Sequence, residues 1–132
     1  MRHLIPDEAR KWLGTPYKHQ GRKIGVGVDC LGLLSETLKS LGATVKDRAD
    51  YSRYPSQNLL VSGLAEQLTE IPIDQADTGD IFVMAQRKEA NHVMIYDKRT
   101  ETVIHSFFRC GKVVEQPVKI YKNQICKAFR YE

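Results

Sequence analysis

The hydrophobic pattern of this chain changes period near residue 80, and that switch constrains the fold more than any other feature. Before it, Leu31, Leu34, Leu38 and Leu41 recur at helical spacing, and Leu60, Leu64, Leu68 and Ile71 form a second stripe closed by Pro72. After it the apolar residues come in short continuous runs: Ile81-Phe82-Val83-Met84, then His92-Val93-Met94-Ile95-Tyr96, then Thr102-Val103-Ile104-His105-Ser106-Phe107. Further runs lie near 112–118 and 125–130. Helices first and strands afterwards predict an α+β domain, N-terminal helices packed on an antiparallel sheet of about five strands. With 132 residues and no linker or repeat, one domain over 1–132 is expected.

Local signals sharpen the helices. Pro6, Asp7 and Glu8 suit the first turn of a short helix that Gly14 stops. Asp29 stands where an N-cap belongs and Gly42 where a helix ends. Between them, Gly14 to Val28 is punctuated by Pro16, Gly21, Gly25 and Gly27 and reads as irregular. Residues 43–57 read as a loop, with Tyr51, Arg53, Tyr54 and Pro55 at its centre, and Asp77-Thr78-Gly79-Asp80 as a turn.

Composition excludes several classes. Hydrophobic residues make up 42% and charged residues 27%, which argues against a disordered or fibrous chain. No apolar run approaches the ~20 residues of a membrane span. The start, Met1-Arg2-His3-Leu4-Ile5-Pro6-Asp7-Glu8, has no stretch of signal-peptide length, so a cytoplasmic or virion-associated location is expected, with delivery by other proteins. The net charge of +4 is scattered, and no nucleic-acid signature accompanies it.

Three cysteines, Cys30, Cys110 and Cys126, leave at least one thiol free. No CxxC pair exists; Cys110 and Cys126 read as small buried thiols, with a mutual disulfide the alternative. Cys30 is different, because it opens a helix. Unpaired N–H groups and the positive end of the helix dipole favour thiolate there, and the same amides can hold an oxyanion. The neighbouring Asp29 opposes ionisation, and the sequence leaves the net sign open.

Two histidines complete a constellation. Pairing Tyr96 with Glu101 centres a hairpin on the Lys98–Arg99 bond and sets His92 directly opposite His105, on one face. One imidazole can serve Cys30 as base while the other orients it. Singly, each histidine is more often structural than functional, and a Cys-His-His zinc site would use the same residues. His3 and His19 have no comparable context; His19 fits a solvated loop or a cleft wall.

These residues resemble a known family. Gly14-Thr15-Pro16-Tyr17, Gly21 and Asp29-Cys30-Leu31-Gly32-Leu33 resemble the first motif of NlpC-type cell-wall cysteine peptidases. Thr78-Gly79-Asp80-Ile81 resembles the turn into that family's sheet, Asn91-His92-Val93-Met94-Ile95-Tyr96 its histidine strand, and Ile104-His105-Ser106 its third position. Val113-Val114-Glu115 and Ala128-Phe129-Arg130-Tyr131 resemble a short branch found among phage tail-associated peptidases. The resemblance implies a papain-like fold and hydrolysis of peptidoglycan stem peptides, commonly between γ-D-glutamyl and diaminopimelate or lysine, without a cofactor. It implies Cys30 as nucleophile, His92 as base, His105 as its orienter, and Tyr17 and Asp29 beside the oxyanion or substrate. Leu31, Ala90-Asn91 and Met94 depart from the usual serine, serine or threonine, and glycine. Rival readings are a structural or binding component of a phage tail-type assembly, and an acyltransferase or amidase acting on another acyl substrate.

Overall fold

In the computed structural model, which describes residues 1–47, 57–86 and 89–132, the N-terminal part is helical and the remainder is sheet. Helix α1 spans Ile5–Arg10 with Pro6 in its first turn, and the chain then turns to Gly14, whose φ is +86°. Two short strands follow, β1 (Arg22–Lys23) and β2 (Gly27–Val28), paired antiparallel within the glycine-rich stretch. Helix α2 spans Cys30–Ser40, capped by Asp29, whose side chain accepts from the Gly32 amide. It buries more than the leucine stripe predicts, because Leu33, Ser35 and Thr37 are covered along with Leu34 and Leu38. The centre of the expected loop at 43–57, with Tyr51, Arg53, Tyr54 and Pro55, lies outside the described residues.

Helix α3 spans Gln57–Gln67 and buries Leu60 and Leu64. The second stripe was expected to remain helical to Ile71, and here the structure differs. Thr69–Ile71 form a strand, β3, which pairs Thr69, Glu70 and Ile71 with Arg130, Phe129 and Ala128. Pro72 has no N–H to continue a helix, and the ladder offers β-branched Thr69 and Ile71 a partner that an isolated last turn lacks. Among the described residues the sheet therefore has six strands, the five expected runs plus β3. They are β3, β4 (Ile81–Gln86), β5 (Glu89–Asp97), β6 (Thr102–Phe107), β7 (Lys112–Pro117) and β8 (Ile125–Arg130), ordered β3-β8-β4-β5-β6-β7 with antiparallel neighbours.

Two apolar layers hold the sheet. Ile81, Val83, Val93, Ile95, Ile104, Val113 and Phe129 pack with Ile5, Leu33, Leu34, Leu38, Leu60 and Leu64 from the helices. Phe82, Met84, Met94, Val103, Phe107 and Ala128 form a second cluster with Tyr121 and Ala76 on the other face. Complete burial of each such side chain stabilises by about 1.5–3 kcal/mol before chain entropy is counted. Gly79 fixes the entry to β4: its φ is +90°, and a Cβ there would run into the Arg2 backbone carbonyl. No helix among the described residues is long and apolar enough to cross a membrane.

The β5–β6 hairpin corrects the expected register. Ile95 pairs with Ile104, Tyr96 with Val103 and Asp97 with Thr102, so the turn is centred two residues' worth of pairing beyond the expected one. Asp97 is the reason. Its carboxylate accepts from the Arg99 amide at 3.0 Å, an Asx turn that places Lys98 to Glu101 in the loop, with Glu101 at φ +56°. A slide of two residues keeps each side chain on its face, whereas a slide of one would have separated the histidines.

Candidate active site

The site begins at the tip of α2. Asp29 is buried and uses both carboxylate oxygens: one accepts from Gly32 at 2.8 Å and from Arg22 Nη1 at 3.1 Å, the other from the Gln20 amide at 2.8 Å. The carboxylate thus caps the helix and ties the glycine-rich stretch to it. Gly32 makes this possible, since a Cβ there would lie 2.5 Å from the Gly21 carbonyl oxygen. On the other side, the fully buried Ser106 hydroxyl of β6 donates to the Val28 carbonyl at 2.6 Å. Cys30 is therefore held between a capped helix and the strand that carries His105.

The Cys30 thiol faces the backbone N–H groups of Val93, Leu31 and Cys30 itself, all of which favour thiolate. Burial opposes them and wins, with help from the Asp29 charge, pushing the thiol up to about 12. Burial thus tips the balance that the sequence leaves open toward the thiol form. Val93 follows His92, so the helix tip meets β5 beside the histidine. The β5–β6 ladder ends at Ile95 and Ile104, and the strands part beyond it.

His92 Nε2 lies 2.8 Å from His105 Nδ1. His105 Nε2 lies 2.8 Å from Gln116 Oε1, which also accepts from the Tyr121 hydroxyl at 2.6 Å. Phe107 stacks on His105 with ring centres 5.0 Å apart and lies 4.9 Å from His92; Tyr121 meets His105 edge-on at 5.3 Å. Burial drives both imidazoles toward the neutral form. His92 is pushed well below 6.5 by burial and by His105, and His105 falls to about 4, the Gln116 bond opposing the shift. Asn91 is the extra residue of a β-bulge: Met84 pairs with His92 and Ala85 with Ala90. Bulges of this kind re-aim the adjoining side chain, here His92.

The structure thus joins His92 to His105 directly and sets the Cys30 thiol at the backbone amide of Val93, the next residue along β5. Tyr17 is half-buried; its amide donates to Gly111, it bridges Val28, and its ring meets Phe108 edge-on at 5.6 Å. Its backbone therefore lies beside the residue that precedes Asp29. His19 is half-buried in the glycine-rich stretch. Cys110 and Cys126 are free thiols, and Cys126 is exposed rather than buried, because it too sits at an irregularity, between Ile125 and Lys127 where β8 pairs with β4. Among the described residues no group of three His, Cys, Asp or Glu side chains is disposed to hold a metal ion. Sequence reading missed Gln116, Tyr121 and Phe107. Gln116 was within reach, since it lies on β7 two residues from Val114, the partner of His105, and so on the same face.

A helix-tip cysteine set against paired imidazoles on an antiparallel sheet defines the papain-like class of α+β domains. The sequence profile described as "NlpC/P60 family" matches residues 14–130, and the chain belongs to that family. Solved structures agree in fold. The NlpC/p60 domain of the peptidoglycan hydrolase SagA superposes with a TM-score of 0.73 at 22% identity, covering 98% of this chain and 97% of that one. The peptidoglycan hydrolase RipB of Mycobacterium tuberculosis gives a TM-score of 0.74 at 19% identity over 99% of this chain and 65% of that one. An NLP/P60 family protein of Staphylococcus aureus, similar to lipoprotein, gives 0.72 at 19% identity over 98% of this chain. This chain spans only 41% of that staphylococcal protein. No curated protein sequence matches.

Proposed function

We propose that residues 1–132 form one papain-like domain that hydrolyses an amide bond in peptidoglycan stem peptides, with Cys30 as nucleophile and His92 as acid–base partner. The observation that carries this reading is the bonded pair His92–His105, with the helix-tip Cys30 thiol at the amide of Val93, the residue that follows His92. The names of the relatives, two of them peptidoglycan hydrolases, supply the substrate class.

The chemistry follows from the neutral resting state. As the sulfur attacks the amide carbonyl, its proton passes to His92 Nδ1, the nitrogen that His105 leaves unengaged. The oxyanion is met by the Cys30 amide, with Tyr17 beside the same segment. The C–N bond then breaks and His92 returns the proton to the leaving amine. Water attacks the thioester, His92 takes its proton, and the acid departs as the thiol re-forms. The γ-D-glutamyl–diaminopimelate or –lysine bond is the target the family resemblance favours.

The test is digestion of defined muropeptides by wild type and Cys30→Ala, with products read by mass spectrometry. Cleavage by wild type alone, at the γ-D-glutamyl bond, is expected. Equal cleavage by Cys30→Ala would remove Cys30 from the chemistry. A reactive Cys30 without muropeptide cleavage would redirect the reading to other acyl substrates.

A further inference from the structure

We infer that Gln116 is a positioning residue: its side-chain carbonyl, aimed by the Tyr121 hydroxyl, fixes the tautomers of both histidines so that His92 presents a bare Nδ1 to the thiol. The inference rests on the reading of His92 as proton acceptor and adds two residues that act through His105.

The argument is one of donors and acceptors along a chain of three contacts. An amide carbonyl oxygen only accepts. Gln116 Oε1 lies 2.8 Å from His105 Nε2, so that nitrogen carries the proton. Neutral imidazole has one N–H, so His105 Nδ1 is then a lone pair. His92 Nε2, 2.8 Å away, must donate to it, and neutral His92 is left with Nδ1 unprotonated. Each step is forced by the one before, and the first depends on which end of the Gln116 amide faces His105. With the amide reversed, its NH2 would donate to His105 Nε2. His105 would carry its proton on Nδ1 and donate to His92 Nε2, and His92 would hold its own proton on Nδ1, toward the thiol. That arrangement has no base.

Tyr121 bears on that choice through distance. Its hydroxyl lies 2.6 Å from Gln116 Oε1, the range of an O–H···O bond and short for an N–H···O bond, so the hydroxyl donates and the carbonyl oxygen collects two donors at one point. Among the described residues, the buried side-chain atoms without a partner do not include the Gln116 amide nitrogen, so this orientation strands no buried donor there. The ring of Tyr121, edge-on to His105 at 5.3 Å, and Phe107, stacked at 5.0 Å, leave the imidazole little freedom to turn. Register places the parts: Gln116 pairs with Val103 and Val114 with His105, so Gln116 reaches His105 diagonally on one face. The charged and titratable groups that act on the Tyr121 hydroxyl at the far end of this chain are Arg109 and Cys110.

Histidine nitrogens of protein labelled with 15N distinguish protonated from bare positions by NMR, independently of turnover. In Cys30→Ala at neutral pH, both His92 and His105 are expected to carry their proton on Nε2. Gln116→Leu should give mixed tautomers at His105 and, in the active enzyme, a fall in kcat of about 10–100-fold with KM little changed. Gln116→Glu should keep the tautomers and much of the rate. Its carboxylate stabilises the imidazoliums, so the acidic limb of the kcat profile should move to higher pH. Tyr121→Phe should lower kcat by about 2–10-fold, the scale of one hydrogen bond. A proton on His92 Nδ1 in the otherwise intact site, or Gln116→Leu with unchanged tautomers and kcat, would overturn the inference. If wild type cleaves no muropeptide while both histidines hold Nε2–H, the substrate reading fails and the tautomer relay stands. If Gln116→Leu does not fold, the Cys30→Ala spectrum and Gln116→Glu decide.

Discussion

Lowering the pH from 7.5 to 5.0 should destabilise this domain through its buried histidines. In the unfolded chain a histidine takes up its proton near 6.5. In the fold, burial holds His105 neutral down to about 4 and His92 neutral well below 6.5. Between those values the unfolded state binds more protons, so stability rises with pH and is lost as pH falls. The slope is about 1.4 kcal/mol per pH unit for each histidine. From 6.5 to 5.0, His105 alone accounts for roughly 2 kcal/mol, and His92 adds up to a similar amount. A domain of this size is stable by only about 7–20 kcal/mol, so the effect is large. The assay is urea unfolding at several pH values for wild type and His105→Asn. The wild-type free energy should fall by about 2–4 kcal/mol over this range, and the variant should lose about half of the dependence. A flat profile between pH 7.5 and 5.0, or an unchanged slope in His105→Asn, would refute the claim that these imidazoles are held neutral by burial.

Other perturbations separate structural from chemical roles. Asp29→Asn keeps an acceptor for the Gly32 amide but strands the Gln20 N–H; it should cost roughly 1–2 kcal/mol in chemical denaturation. Removing the Asp29 charge should also move the pH profile of Cys30 alkylation to lower pH, and an unmoved profile would show that the carboxylate does not raise the thiol. Gly79→Ala places a side chain at φ +90° against the Arg2 carbonyl and should destabilise by roughly 1–3 kcal/mol, read as a lower Tm without a change in Cys30 alkylation. Arg10→Met breaks a network in which the guanidinium binds Glu115 through two contacts, at 3.0 and 2.8 Å, and the fully buried Asp97 at 2.8 Å. With Arg99 still on Asp97, a loss of roughly 3 kcal/mol is expected, measured by urea unfolding.

Local physics made much of this protein legible in its sequence. The Asp29 cap, the helix that follows, the strand runs after residue 80 and the shared face of His92 and His105 all depend on periodicity and short-range chemistry. The hairpin register slipped by two because Asp97 selects an Asx turn, and a two-residue slip leaves the face unchanged. Periodicity extends the second helix to Ile71 because it cannot see the ladder that Ala128 to Arg130 provide. The sign of the Cys30 shift depends on desolvation, which only the packed structure defines. Gln116 and Tyr121 are polar residues without a local motif, and they matter because β7 and the turn after it bring them to His105. Sequence alone determined which helix carries Cys30 and which strands carry His92 and His105, since nearest-neighbour forces suffice for that. Only the tertiary structure decided the partners and the burial of these side chains, because these depend on what packs against what across long stretches of chain, as when Ser106 meets Val28 at a separation of 78 residues.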